Sequence, residues 1–152
     1  MLHIHNGDSS ANTAKESSIP GEHIAFRESL ITGPTPADVW GDEWRRVRAQ
    51  HLSESYPEDL DECLQGLLEQ EKKLDSTAEY DEVVLWFEHD LFCQVHLVYL
   101  LNWFSTHNSV DNKLSLICKI CSGYCEQKRL CSGSYISSII NQLGDNWLWL
   151  RK

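Results

Sequence analysis

The sequence predicts an α/β protein: a Rossmann-like three-layer sandwich with a mostly parallel sheet and a helical insertion. Two observations carry this prediction. A short strand, a short helix and a second short strand follow one another within residues 2–26, which is typical of a parallel β-α-β unit. Residues 83–87 are apolar without alternation, as in a strand that helices cover on both faces. Strands that alternate with helices favour an open layered sheet.

The first unit is delimited by turn signals. Residues 2–6 alternate apolar and polar side chains and lead into the turn-forming sequence Asn-Gly-Asp, so they are predicted to form a strand. Ser9 or Ser10 can cap a helix that runs to about Ser18, where Ile-Pro-Gly ends it. Residues 22–26 are predicted to be the second strand.

The rest of the predicted domain consists of the helical insertion and two further strand segments. Residues 37–74 are rich in helix-forming residues, and Pro57 divides them into two helices that we expect to pack as a cap near one end of the sheet. After the strand at 83–87 come a predicted helix over 91–104 and a fourth strand at 114–118. We therefore expect one α/β domain over residues 1–118, followed by a divergent or truncated cysteine-rich tail over 119–152.

Composition excludes several classes of protein. Thirteen Lys and Arg residues against 23 Asp and Glu give a formal net charge of −10, which argues against nucleic-acid binding and against attachment to anionic membranes. No apolar run reaches the length of a membrane span. The first ten residues, MLHIHNGDSS, have neither a basic start nor an apolar stretch, so a cytoplasmic location is expected. In that compartment the cysteines would be thiols or metal ligands.

Polar side chains follow three of the predicted strands at their carboxyl ends. In open parallel sheets, ligands bind beyond these ends, at the point where the strand order reverses. If the order is 2-1-3-4, the first and third strands flank that point. We therefore predict a site there for a small anionic ligand, a nucleotide or a phosphoester, which the protein could also hydrolyse.

The residue types assign roles within this site. His89 is the predicted acid/base, and Asp8 and Asp90 are the other predicted catalytic residues, whose carboxylates could hold a divalent cation. No cofactor other than this cation is suggested. A second set of residues is predicted to bind the ligand. Gly7 would allow close backbone approach, the amide of Ser9 would bind an anion, and Arg27 would supply a guanidinium fork. The full set is Asn6, Gly7, Ser9, Arg27, Glu28, Glu88 and Gln94.

The same residues admit a second interpretation. Asp8 and Asp90 can cap helices, and Arg27 can pair with a surface carboxylate. The protein would then be a non-catalytic interaction or regulatory module whose helical insertion docks a partner. No dinucleotide fingerprint, P-loop, zinc-protease motif or nucleophile elbow decides between the two.

Two groups of residues raise the question of a metal. The cysteines Cys118, Cys121, Cys125 and Cys131 are dense, but their spacing matches no zinc or ferredoxin pattern, and unliganded thiols in a tail are favoured. His3 and His5 point to one face of a strand, where a partly buried sheet edge is favoured over a metal site. No residue is assigned to a metal. Trp147 and Trp149 are expected to pack loosely.

Three segments in order resemble the bacterial domain of unknown function 1835. The first joins Leu2-His3-Ile4 to Asn6-Gly7-Asp8-Ser9, the second runs from Pro20-Gly21-Glu22 through Phe26-Arg27-Glu28-Ser29-Leu30 to Gly33-Pro34, and the third is VLWFEHDLF with Gln94. The resemblance covers about residues 2–118. It implies a bacterial protein, and that family has no established activity to carry over. It also implies that Asn6, Gly7, Asp8, Arg27, Gly33, Pro34, Glu88, His89, Asp90 and Gln94 occupy motif positions.

Overall fold

A computed structural model describes residues 1–37, 39–107, 113–119 and 125–130, and the side chains of the last two segments only at 114–117. The strands, in chain order, are β1 (Leu2–Asn6), β2 (Glu22–Phe26), β3 (Glu82–Trp86), β4 (Lys113–Lys119) and β5 (Cys125–Leu130). The helices are α1 (Asp8–Lys15), α2 (Gly41–Ser55), α3 (Leu60–Asp75) and α4 (Leu91–Thr106), and a 3-10 turn follows α3.

The strands form one sheet in the order β2-β1-β3-β4-β5. The pairs β1–β2, β1–β3 and β3–β4 are parallel, so the predicted Rossmann-like fold is confirmed. Leu2 lies opposite Glu22 in β2 and opposite Val83 in β3, which makes β1 an inner strand of the sheet. Strand β5 is antiparallel to β4, so the sheet continues into the predicted tail region, where the sequence indicated no strand.

The two faces of β1 meet different layers because side chains alternate along a strand. Asn6 hydrogen-bonds Cys93 and His96 of α4 on one face. On the other face His5 bonds Ser10 of α1. Helices α1 and α4 therefore lie on opposite faces of the sheet, as right-handed crossovers in opposite directions require.

The main hydrophobic core fills the α4 side of the sheet. Leu2 and Ile4 of β1 are 0% exposed and share this core with Leu100 of α4. Helix α2 joins it through Trp44, whose ring stacks on Tyr99 at a centroid distance of 6.3 Å. The predicted insertion is thus a helical pair packed against the sheet domain.

Helices α2 and α3 also share a small core of their own, made by Ala49, Cys63 and Leu67. Helix α3 begins at Leu60, with the Asp59 side chain as its N-cap, so the chain is divided near Pro57 as predicted. The Lys73 ammonium lies 2.9 Å from the Glu22 carboxylate of β2, which fixes α3 beside that edge strand. In the described part of the chain, no helix is long and apolar enough to cross a membrane.

Candidate functional site

The strand order reverses between β1 and β3, which are adjacent as the predicted 2-1-3-4 order requires. A pocket of about 580 Å³ opens at the carboxyl ends of these two strands. We call it the switch-point pocket. Its lining residues come from β1, α1 with the turn after it, the end of β3 and the start of α4: His5, Asn6, Ser9, Ser10, Thr13, Ala14, Ser17, Ile19, Trp86, Glu88, Asp90 and Cys93.

One wall of the pocket is the start of α1. Gly7 is the N-cap residue at φ 89°, a conformation that side-chain-bearing residues rarely adopt. Its carbonyl accepts the amide of Ala11, and no side chain caps the helix. The amides of the first turn therefore have no side-chain acceptor and point out of the helix end, where the helix dipole favours negative charge.

The floor of the pocket contains a hydrogen-bond chain centred on Asn6. The His96 Nδ1 atom lies 2.6 Å from Asn6 Oδ1, and the Asn6 amide nitrogen donates to Cys93 Sγ at 2.8 Å. The Leu30 amide donates to His96 Nε2, which fixes the tautomer with the proton on Nδ1. Burial lowers the pKa of His96 to about 4. Asn6 is thus a fixed link between β1 and α4.

Asp90 has a structural partner inside the pocket. Its carboxylate accepts the Cys93 amide at 3.0 Å and is the N-cap of α4. Burial, aided by the hydrogen bond to Asp90, raises the pKa of the Cys93 thiol to about 11. Cys93 is therefore a protonated thiol at neutral pH and not a ready nucleophile.

A layer of buried histidines lies on the α1 face of the sheet, and His5 of this layer lines the switch-point pocket. His3, His5 and His23 are at most 7% exposed. The rings of His3 and His23 stack at 4.4 Å, and the Trp86 indole stacks on His5 at 5.3 Å and donates to His3 Nδ1. The prediction of a partly buried edge at His3 and His5 is wrong, because β1 is an inner strand covered by α1.

Burial governs the charge state of this layer. Desolvation, together with the nearby His23 and His3 rings, lowers the pKa of His5 to about 4. Desolvation also lowers the pKa of His3. Both rings are therefore neutral at pH 7.

Asp8 and Arg27 lie in a second pocket, of about 670 Å³, between β2, α1 and α3. Arg27 Nε and Nη2 bind the Asp8 carboxylate at 2.6–3.0 Å, and these hydrogen bonds lower the pKa of Asp8. The side chains are 72% and 51% exposed. The structure thus pairs these two residues with each other, away from Asp90.

The remaining predicted site residues are divided as well. Ser9 and Glu88 line the switch-point pocket, whereas His89 is exposed and lines neither pocket. Gln94 donates to the Glu88 carbonyl at 2.7 Å and so fixes the loop before α4. Glu28 is buried in an ion pair with Arg48. The four side chains expected to converge are therefore not brought together: Asp8 and Arg27 line one pocket, Asp90 lines the other and His89 lines neither. Their catalytic and binding roles stay predictions.

Sequence reasoning missed the histidine layer and Ser10 as a side chain of the site. The signal was present in the strand pattern, because His3 and His5 are two residues apart on one face. Parallel strands that end together also place His23 beside His3, which is the observed register. What the sequence did not reveal is that a helix covers this face.

No cluster of three or more metal-ligating side chains occurs in the described ranges. The predictions for Cys118, Cys121, Cys125 and Cys131, and for the two tail tryptophans, fall on side chains outside the described residues.

The fold and the pocket define a Rossmann-like protein with a ligand-sized cavity at the switch point of its sheet. No family model, curated protein or solved structure matches the chain.

The exposed Asp8–Arg27 pair is expected to contribute little to folding. Replacing Arg27 with Ala should change the free energy of unfolding by less than about 1 kcal/mol, because exposed ion pairs are screened by water. Urea unfolding of the variant and the wild type measures this difference. A loss above about 2 kcal/mol would show that the pair organises the β2–α1 contact.

Proposed function

We propose that the protein binds a small anionic ligand, a nucleotide or another phosphoester, together with a divalent cation in the switch-point pocket, and that it hydrolyses this ligand. One observation carries the proposal: a single pocket joins the hydroxyl-bearing start of α1 to two carboxylates after β3. The first feature suits phosphate, and the second suits the cation. The resemblance to the bacterial domain of unknown function 1835 is part of this proposal and adds no activity to it.

The α1 wall supplies the anion-binding half. Ser9 and Ser10 bring hydroxyls, and the first-turn amides bring donors that no side chain caps. A Cβ at Gly7 would have no neighbour within 4 Å, so a phosphate can approach the backbone there. Hydrogen bonds from these amides and hydroxyls can orient a phosphate group without a basic side chain.

The end of β3 supplies the cation-binding half. No Lys or Arg is among the described residues that line the pocket, so an entering phosphate needs another positive charge. Glu88 and Asp90 could hold Mg²⁺, which proteins commonly bind through one or two carboxylates while phosphate and water complete the shell. This replaces the role that the sequence suggested for Arg27.

Three contacts favour the second candidate, a non-catalytic module. Asp90 caps α4, Glu28 binds Arg48, and Asp8 binds Arg27. Each of these predicted site residues has a structural partner. The two candidates differ in whether the switch-point pocket takes up a phosphoester.

Calorimetric titration with ADP, a sugar phosphate and p-nitrophenyl phosphate, with and without Mg²⁺, tests the proposal. At least one of these ligands should bind in a Mg²⁺-dependent manner. Glu88→Gln should weaken that binding by about tenfold or more, since it removes about 1.4 kcal/mol or more of cation-mediated attraction. Glu79→Gln, an exposed substitution outside the pocket, is the matched control.

Absence of phosphoester binding by the wild type, with or without Mg²⁺, would overturn the proposal and favour the module. So would binding that neither Mg²⁺ nor Glu88→Gln alters.

A further inference from the structure

A continuous hydrogen-bond chain runs from the switch-point pocket into the histidine layer. The Ser10 hydroxyl oxygen lies 2.9 Å from His5 Nδ1. His5 Nε2 lies 3.0 Å from His23 Nδ1, and His23 Nε2 lies 3.2 Å from the carbonyl oxygen of Ile19. Ser10 is the member of the chain at the pocket surface, whereas His5 and His23 are 1% and 7% exposed.

The far end of the chain fixes the direction of every proton. A carbonyl oxygen only accepts, so His23 Nε2 donates to Ile19 and its Nδ1 is the acceptor in the neutral ring. His5 Nε2 must then donate to His23, which leaves His5 Nδ1 as an acceptor. The Ser10 hydroxyl therefore donates to His5 Nδ1. This is the arrangement that activates a serine: nucleophile, base, and a third group that orients the base.

We propose that the Ser10 hydroxyl is the nucleophile of the switch-point pocket, that His5 accepts its proton, and that His23 is a positioning residue for His5. The proposal deepens the proposed function and rests on it for the substrate class, a phosphoester. It assigns to Ser10 and His5 the chemistry that the sequence suggested for His89.

The step balances without a further reactant besides water. Ser10 Oγ attacks phosphorus, the Oγ–P bond forms, and the bond from phosphorus to the leaving-group oxygen breaks. The hydroxyl proton moves to His5 Nδ1 and then to the leaving alkoxide. Water next attacks the phosphorus of the phosphoserine and gives a proton to His5, the bond from water oxygen to phosphorus forms and the Oγ–P bond breaks. His5 then returns the proton to Oγ, which releases phosphate and restores the Ser10 hydroxyl.

The residues around His5 keep its ring in position and unprotonated. Trp86 stacks on the His5 ring with an interplanar angle of 19°, and His3 stacks on His23 at 8°. Burial keeps His5 neutral at pH 7, so Nδ1 is free of a proton before the attack. When His5 becomes charged, its Nε2–H bond to His23 Nδ1 keeps the ring oriented, with a neutral acceptor in the position that the carboxylate takes in a Ser-His-Asp triad. The other nucleophile of the pocket, Cys93, is held as a thiol.

A fluorophosphonate probe tests the assignment directly. Attack by Ser10 would displace fluoride from phosphorus, and peptide mass spectrometry locates the adduct. We expect modification of Ser10 in the full wild-type chain, loss of the adduct in Ser10→Ala, and retention in Ser105→Ala. Ser105 is the matched control because it is an exposed serine near the end of α4, outside the pocket, and its hydroxyl donates to the Asn102 carbonyl.

Turnover of p-nitrophenyl phosphate with Mg²⁺ provides the second measurement. Ser10→Ala should lower kcat by at least about 100-fold, the scale of an activated nucleophile. His23→Gln should lower kcat with little change in KM. Adding it to Ser10→Ala should cause no further loss, since a positioning residue acts through the serine. An independent structural effect of His23 would instead add to the loss.

The outcomes separate this proposal from the proposed function. No adduct at Ser10, or unchanged turnover in Ser10→Ala, overturns the nucleophile and leaves ligand binding to the titration. If Ser10→Cys is alkylated by iodoacetamide no faster than Ser9→Cys, activation by His5 is overturned, whether or not the other variants fold. A third outcome is an adduct at Ser10 and turnover of p-nitrophenyl acetate without phosphoester binding. This result would support Ser10 as the nucleophile and overturn the phosphoester as its substrate class.

Discussion

Replacing Arg48 with Met is expected to lower the free energy of unfolding by about 3–5 kcal/mol, because the substitution leaves a buried carboxylate without its partner. The side chains of Arg48 and Glu28 are 0% and 3% exposed, and the Arg48 Nη2 atom donates to Glu28 Oε1 at 2.7 Å. Arg48 also donates to the carbonyl oxygens of Ser29, Thr32 and Pro34 at 2.9–3.0 Å. It thereby fixes the loop between β2 and α2.

Arg46→Met is the matched control, since Arg46 is exposed on the same helix. Urea unfolding should show a change below about 1 kcal/mol for it. The double variant Arg48→Met with Glu28→Leu should be more stable than Arg48→Met alone, because it removes the buried charge. An Arg48→Met protein as stable as the wild type would show that this ion pair does not hold the loop.

Lowering the pH from 7 to 5 is expected to destabilise the protein by several kcal/mol. Burial lowers the pKa of His5 and of His96 from 6.5 to about 4, and it also lowers the pKa of His3. The unfolded chain therefore binds protons that the folded chain excludes. The contribution of these histidines to the free energy of unfolding is complete above about pH 6.5. It falls as the pH drops from 6.5 toward 4 and is constant below 4. For a shift of this size it amounts to about 3 kcal/mol for each of His5 and His96.

Urea unfolding at pH 7.5, 6.5 and 5 isolates the histidines. Arg27 and the Cys93 hydrogen bond lower the pKa values of Asp8 and Asp90, so these carboxylates lose their contribution only at lower pH. Burial raises the pKa of Glu71, which acts in the opposite sense. His5→Gln should reduce the pH dependence, whereas substitution of the exposed His89 by Gln should leave it unchanged. Equal stability at pH 7.5 and 5 would contradict the prediction.

Local patterns in the sequence determined the fold. The spacing of residues 2–26 predicted a parallel β-α-β unit, because a helix between two strands is the usual connection between parallel neighbours, and β1 and β2 pair in this way. The apolar run at 83–87 predicted an inner strand, which β3 is. The adjacency of β1 and β3 then located the pocket. These inferences succeed because side-chain periodicity and connection length act within a few residues.

The chemical content of the pocket was decided by tertiary structure. Polar residues after the strands were expected to meet each other, but Arg27 meets Asp8 and Glu28 meets Arg48, a residue of the insertion. Which partner a charged side chain takes depends on which distant segment packs against it, and local periodicity does not encode this. The Ser10–His5 contact likewise exists only because α1 packs on the face of β1 that carries His3 and His5. The sequence by itself determined the sheet and the position of its switch point; only the tertiary structure placed a serine on a buried histidine there, because that contact needs two elements of secondary structure to pack together.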